Sequence, residues 1–278
     1  MVAVSLNRGG VKGLSCLFSG FWSVPDVAPY YVWAVFRRHI LVFKKTWLAN
    51  IMFNFVEPVL YLWAMGIGLG AYVFLGGGQS YVQFIGPALV ASSAMFATCY
   101  EATYGSFTRM GPQKVFQSMA STPASLEDVI LAEVAYGTFK GVLYGTVFLA
   151  VAALFGAAQS LWALLVPVPL LLMAAVFANI SLVWTSAAPN YDSYNYFFTL
   201  FISPMFLFAG VFFPLDGLPQ VYRTLAWFTP LYHAVEVIRP LAQGRPAPGC
   251  FGHLAWLLAA FLLTLRFPLV MLKNRLTS

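Results

Sequence analysis

Long apolar runs separated by short polar breaks dominate the chain from Trp47 onward. Six of them approach or exceed the roughly 20 residues that carry a helix across a hydrocarbon core. They cover residues 47–73, 82–104, 129–155, 161–186, 196–213 and 253–272. The third carries Gly137, Gly141 and Gly145. This small-residue spacing lets two helix backbones approach closely.

Ahead of the first run, residues 30–47 alternate aromatics with Arg37, Arg38, Lys44 and Lys45. The cations recur about every two turns and share one helix face, the pattern of an amphipathic helix lying in a membrane interface. The run Gly13-Leu14-Ser15-Cys16 lacks the preceding apolar segment that a lipoprotein signal needs. The expected fold is therefore all-α and membrane-embedded. Residues 1–46 form an N-terminal segment with the interfacial helix, and residues 47–278 form a six-span domain.

Composition sharpens this picture. Apolar residues make up 60% of the chain and charged residues 9%, against about 25% charged in a soluble domain. The formal net charge of +6 fits an excess of Lys and Arg in cytoplasmic loops better than a nucleic-acid partner. Basic residues gather before the first span, at Arg109 and Lys114 between the second and third, and at Arg266, Lys273 and Arg275. Both termini are expected in the cytoplasm, with Arg223, Arg239 and Arg245 as outer-side exceptions. Cys16, Cys99 and Cys250 suggest neither a disulfide framework nor a zinc site.

Polar breaks between the spans carry two further elements. After Gly111-Pro112, residues 113–120 can form a short helix holding Gln113, Lys114, Val115, Phe116 and Met119. Thr122-Pro123 stops it, and Ser125 with Asp128 makes a capping box for the third span. This helix is either a plain connection or a docking knob for a cytosolic partner. Residues 212–240, broken at Pro214, Pro219 and Pro230, read as two short helices in a re-entrant or interfacial hairpin on the outer side. Within it His233 and Glu236 stand i, i+3, as a dyad or as a structural hydrogen bond that fixes the hairpin.

Charges inside the spans include Glu57 in the first and Lys140 in the third. Glu57 and Lys140 each lie roughly 15–17 Å from the cytoplasmic edge at 1.5 Å per residue, and equal depth predicts that they pair. Aromatics crowd the first and fifth spans. Of these, Phe53, Tyr61, Tyr196 and Phe201 are candidates to line a substrate path. No P-loop, zinc-protease helix or serine elbow occurs in the sequence, so any ATP must be bound by another polypeptide.

The ordered motifs Glu57-Pro58-Val59-Leu60-Tyr61-Leu62, Ser93-Ala94-Met95, Phe107-Thr108-Arg109-Met110 and Asp128-Val129-Ile130-Leu131 extend over much of the chain. They continue in Ala187-Ala188-Pro189-Asn190-Tyr191-Asp192, Gly210-Val211-Phe212-Phe213-Pro214-Leu215 and His233-Ala234-Val235-Glu236. Together they resemble the NodJ group of ABC-exporter permeases from about Tyr31 to Arg275. The resemblance implies a six-span permease of the bacterial inner membrane that pairs with a second copy and two copies of an ABC ATPase, which supplies ATP and Mg. It makes residues 113–120 the coupling helix and the Pro-broken outer segment the extracellular re-entrant hairpin. It implies a lipid-linked or amphiphilic saccharide as cargo, with hydrophobic drugs as the alternative. Ala132 and Tyr232 depart from the group's usual glycine and small hydroxyl residue. A membrane-embedded lipid-modifying enzyme and a secondary transporter are rival classes; the first needs convergent polar residues at one depth, the second an internal repeat.

Overall fold

A computed structural model of the chain describes residues 27–68, 70, 72 and 80–277. Among the described residues the regular secondary structure is all helix, with no strand. Four helical stretches have the length and apolarity to cross a membrane: Tyr81–Met110, Leu126–Leu154, Leu161–Ala187 and Gly249–Thr277. The expected first and fifth spans are not among them.

Helix α1 (Pro29–Trp63) is continuous and passes into a π turn at Ala64–Gly68. The expected division at Trp47 is absent, because no Gly or Pro interrupts the chain between Tyr31 and Glu57. Its first turns are amphipathic. Val35 and His39 are buried, Val32, Phe36 and Phe43 are partly so, and Arg37, Arg38, Lys44 and Lys45 face outward.

Helix α2 (Tyr81–Tyr100) starts with a Ser80/Gln83 capping box, then continues through a π turn (Glu101–Gly105) into α3 (Ser106–Met110). Short helix α4 (Val115–Ala120) precedes α5 (Leu126–Leu154). The capping box at the start of α5 forms as expected: Asp128 N–H donates to Ser125 Oγ at 3.1 Å, and Ser125 N–H to Asp128 Oδ2 at 2.9 Å. The other Asp128 oxygen accepts the Ala28 N–H at 2.8 Å, anchoring the start of α1 to the start of α5.

Helix α5 is the central helix, packed against α2, α1 and α6 (Pro167–Ala187). The expected small-residue seam explains how closely. A methyl group added at Gly145 would lie 3.0 Å from Ala94 Cβ and 2.8 Å from Leu170 Cδ1, and one at Gly141 would lie 3.0 Å from Ala94 O. Only glycine admits backbones at that separation.

The segment expected as a fifth span is broken into α7 (Ser193–Phe197), a π turn (Phe198–Ile202) and α8 (Ser203–Phe208). It ends at Gly210, whose φ of +76° turns the chain. Two short helices follow, α9 (Gln220–Trp227) and α10 (Pro230–Gln243). Arg239 on α10 donates to Phe84 O at 3.2 Å and Gly210 O at 2.8 Å, tying α10 to the start of α2.

The chain ends in α11 (Gly249–Thr264) and α12 (Arg266–Thr277). Lys273 pairs with Glu127 at the start of α5, and Arg275 donates to Ser186 O at the end of α6 at 3.2 Å. Thus α4, the start of α1 and the end of α12 share one end of the bundle.

Candidate functional site

Five ionisable side chains meet inside the bundle where α1, the α2–α3 π turn and α5 converge. On α5, Glu133, Tyr136 and Lys140 fall at i, i+3 and i+7 and present one face. On the other side the π turn inserts an extra residue into the ladder, a device common at functional sites. It brings Glu101 and Arg109 to the same face.

Glu101 bridges the two cations. One carboxylate oxygen lies 2.7 Å from Arg109 Nη1 and the other 2.6 Å from Lys140 Nζ. Arg109 binds Glu133 through Nε at 2.9 Å and through Nη2, while Ser106 Oγ donates to Glu133 Oε2 at 2.6 Å. His39 Nε2 stands 3.2 Å from Glu133 Oε1, the oxygen that also accepts from Arg109 Nε, and its ring stacks on Tyr136 at 4.9 Å. Arg109 and Lys140 each lie 5.6 Å from the centre of that same Tyr136 ring.

The two carboxylates, Glu101 and Glu133, and the two cations, Arg109 and Lys140, balance one another. An isolated charge among apolar helices costs several kcal/mol, and such residues are rare and face partners. Here each has a charged partner within direct contact. Gly105 makes room: a methyl group there would lie 2.5 Å from Glu101 Oε1.

The expected Glu57–Lys140 pair lies partly outside the described residues, because the Glu57 side chain is not among them. Within them, Lys140 meets Glu101. The expected second span ended at residue 104, which set Glu101 at its cytoplasmic edge and far from the depth of Lys140. The helical path in fact runs on to Met110, setting Glu101 deep enough to meet Lys140.

Of the docking residues, Gln113 and Lys114 are exposed and Val115 is half-buried. Phe116 and Met119 are core residues, packed with Phe107, Met110 and Val129. The outward surface of α4 therefore consists of Lys114, Gln117 and Ser118.

In the outer hairpin, Pro214 is exposed and Pro219 precedes α9. His233 does not meet Glu236; its Nε2 donates to Trp227 O at 2.7 Å and its Nδ1 faces His253 Nδ1 at 2.8 Å. Glu236 stands 3.9 Å from Arg239. Side-chain direction decides this: His233 is buried against α11, whereas Glu236 lies half-open on the neighbouring face.

Among the candidate path aromatics, Tyr61 lies 6.3 Å from Phe206, and Phe201 lies 5.5 Å from Trp184. Tyr196 points outward, and the Phe53 side chain is outside the described residues. A more regular array runs beside them: Tyr100 stacks on Phe198 at 4.5 Å, Phe198 on Tyr104 at 6.0 Å, and Tyr104 on Tyr191 at 6.3 Å.

An all-helical build with four helices able to cross a membrane, a buried charge cluster and a short loop helix beside it is that of an integral membrane protein. Residues 30–241 match the ABC-2 type transporter family, and the chain belongs to it. It is 36% identical to Nodulation protein J of Rhizobium leguminosarum bv. trifolii over 244 residues, 87% of this chain and 93% of that protein. To Nodulation protein J of Sinorhizobium fredii it is 34% identical over 264 residues, 94% and 100% of the two chains. Inner membrane transport permease YadH of Escherichia coli is 25% identical over 240 residues, 85% of this chain and 92% of that one. Family membership implies an ABC ATPase as partner.

Proposed function

We propose that this chain is the permease subunit of an ATP-driven exporter in the bacterial inner membrane, moving an amphiphilic or lipid-linked saccharide outward. Two copies form the path, and two copies of a separate ATPase, holding ATP and Mg, drive it. Both termini and α4 face the cytoplasm. ATPase closure presses on the outward surface of α4, and Arg109 at the end of α3 carries that movement to Glu101, Glu133 and α5. The outer hairpin of α9 and α10 helps close the exit.

The observation that carries the saccharide reading is the row Tyr100–Phe198–Tyr104–Tyr191. Tyr100 and Tyr191 are each about two-fifths exposed, and such rings offer faces on which sugar rings stack. The resemblance to the NodJ group of exporter permeases implies the same substrate class. The test is reconstitution of this chain with its ATPase in vesicles, following ATP-dependent uptake of a lipo-chitooligosaccharide and of a hydrophobic drug. Uptake of the saccharide, lost in a Tyr104→Ala variant that still assembles, supports the proposal. Uptake of the drug alone would overturn the saccharide reading in favour of a drug exporter.

A further inference from the structure

Beside the charge cluster, on the end of the bundle that carries α4, lies an open cavity of about 390 Å3. Its polar lining comes from Arg38 and His39 of α1, Thr108 and Arg109 of α3, Gln113 of the following turn, and the tyrosines Tyr104 and Tyr136. The carboxylates of Glu101 and Glu133 sit behind Arg109 and do not line it. Thr108 Oγ1 is already engaged by Tyr104 O and Tyr191 Oη at 2.6 and 2.8 Å.

What the cavity offers is donors. A guanidinium has five N–H groups. Those of Arg109 serve Glu133 Oε1, Glu133 Oε2, Ser106 Oγ and Glu101 Oε1, which leaves one hydrogen on Nη1. Gly105 lines the cavity at that point, and even a methyl group on it would come within 3.3 Å of Nη1. Arg38 makes no ion pair among the described residues and is exposed, as is Gln113. A planar fork together with further N–H donors suits the tetrahedral oxygens of a phosphate.

The cavity mouth is bounded by Val42, and the same helix turns Trp33, Leu41, Val42, Trp47 and Leu48 outward. An apolar strip beside a donor-lined pocket matches a molecule with acyl chains below a charged head. Arg37, Lys44 and Lys45 on α1 add attraction toward an anionic membrane surface. We propose that this cavity binds the phosphate of an anionic lipid headgroup. Arg38, Gln113 and the remaining N–H of Arg109 hold it, with its acyl chains along α1. Tyr104 borders both this cavity and the aromatic row, so the two sites adjoin, but the phosphate-binding groups belong to the cavity alone and the proposal stands whether or not the row carries a saccharide.

The experiment titrates the purified full chain with phosphatidylglycerol, phosphatidylcholine and inorganic phosphate, reading retained lipid by native mass spectrometry and phosphate by thermal shift. Arg38→Gln removes a charge-assisted bond and should weaken phosphatidylglycerol binding at least ~10-fold. Arg37→Gln, outside the cavity, should weaken it no more than the ~5-fold of a generic surface cation. Val42→Trp, which narrows the mouth at constant charge, should weaken it as Arg38→Gln does. Equal losses in the two arginine variants, or phosphatidylcholine binding as tight as phosphatidylglycerol, would overturn the proposal. So would inorganic phosphate saturating the site at the same concentration, which would assign the cavity to a soluble phosphate. Loss of ATPase association in Arg38→Gln with lipid retention unchanged would assign it to the protein partner and overturn the lipid.

Discussion

Lys140 of α5 and Glu101 of the π turn meet at 2.6 Å, both almost fully buried. Removing either member unbalances the charge of a cluster buried among apolar helices. Lys140→Ala and Glu101→Ala should each destabilise the protein by ~3–5 kcal/mol, read as lowered thermal denaturation in detergent. Joint replacement by Met should cost less than either single change, since the remaining Arg109–Glu133 pair is then neutral. Glu57→Gln should cost clearly less than Glu101→Gln. An equal cost would make Glu57 an equivalent partner of Lys140.

Gly105 tests the cluster from the backbone side. In an ordinary helix interior, Gly→Ala gains roughly 0.5–1 kcal/mol. Here the added methyl group would lie 2.5 Å from Glu101 Oε1 and 3.3 Å from Arg109 Nη1. Both groups are held by ion pairs and cannot swing away freely. Gly105→Ala should therefore destabilise by ~1–3 kcal/mol, as overpacking does. A variant as stable as the parent would show that Glu101 is free to move.

Much of this was legible in the sequence because it depends on local chemistry. The Ser125/Asp128 capping box, the glycine seam of α5 and the short helix after Gly111-Pro112 are set by residues within a few positions of one another. Glu101 was hidden for a different reason: its partner Lys140 lies 39 residues away in sequence, and the π turn changes which face Glu101 occupies. Hydropathy alone does not reveal a π turn. His233 was assigned the wrong neighbour because i, i+3 spacing permits contact but does not enforce it. The preferred bonds go to Trp227 O and to His253 on a different helix. The partition of 193–213 also escaped the pattern, since a mid-segment π turn leaves apolarity unchanged while breaking the helix.

The His233–His253 contact fixes a pH dependence. A carbonyl only accepts, so His233 Nε2 carries the proton donated to Trp227 O. His233 Nδ1 is then an acceptor, and His253 Nδ1 donates to it. A second proton on His233 would set two donors face to face. Burial, with the neighbouring His253 charge, pushes the His233 pKa down to about 4, against about 6.5 in an unfolded chain. The unfolded chain then binds more protons between these values, so stability rises with pH there. The contribution is complete above about pH 6.5 and is lost as pH falls toward 4. His233→Gln, which keeps a donor and an acceptor, should flatten that part of the stability profile. Parallel decline in parent and variant would place the titration elsewhere.

The last prediction separates coupling from folding at α4. Phe116 is fully buried and Met119 nearly so, so changes at these positions report on the core. Phe116→Ala should cost ~3–5 kcal/mol, the usual loss for a buried aromatic, and any fall in ATPase stimulation would follow from it. The surface that a partner meets is Lys114, Gln117 and Ser118. Lys114 also holds a left-handed backbone, with φ of +50°, a conformation that costs a non-glycine residue of order 1–2 kcal/mol. Lys114→Gly should relieve that strain and leave stability equal or improved, while removing a cation from the docking surface. Gln117→Trp adds bulk to the same surface without touching the core. If α4 is the coupling element, both variants should retain their denaturation temperature and lose transport-linked ATP hydrolysis, Gln117→Trp at least ~10-fold. Full stimulation in both, with normal membrane insertion, would remove α4 from the coupling path and leave it a connection between α3 and α5.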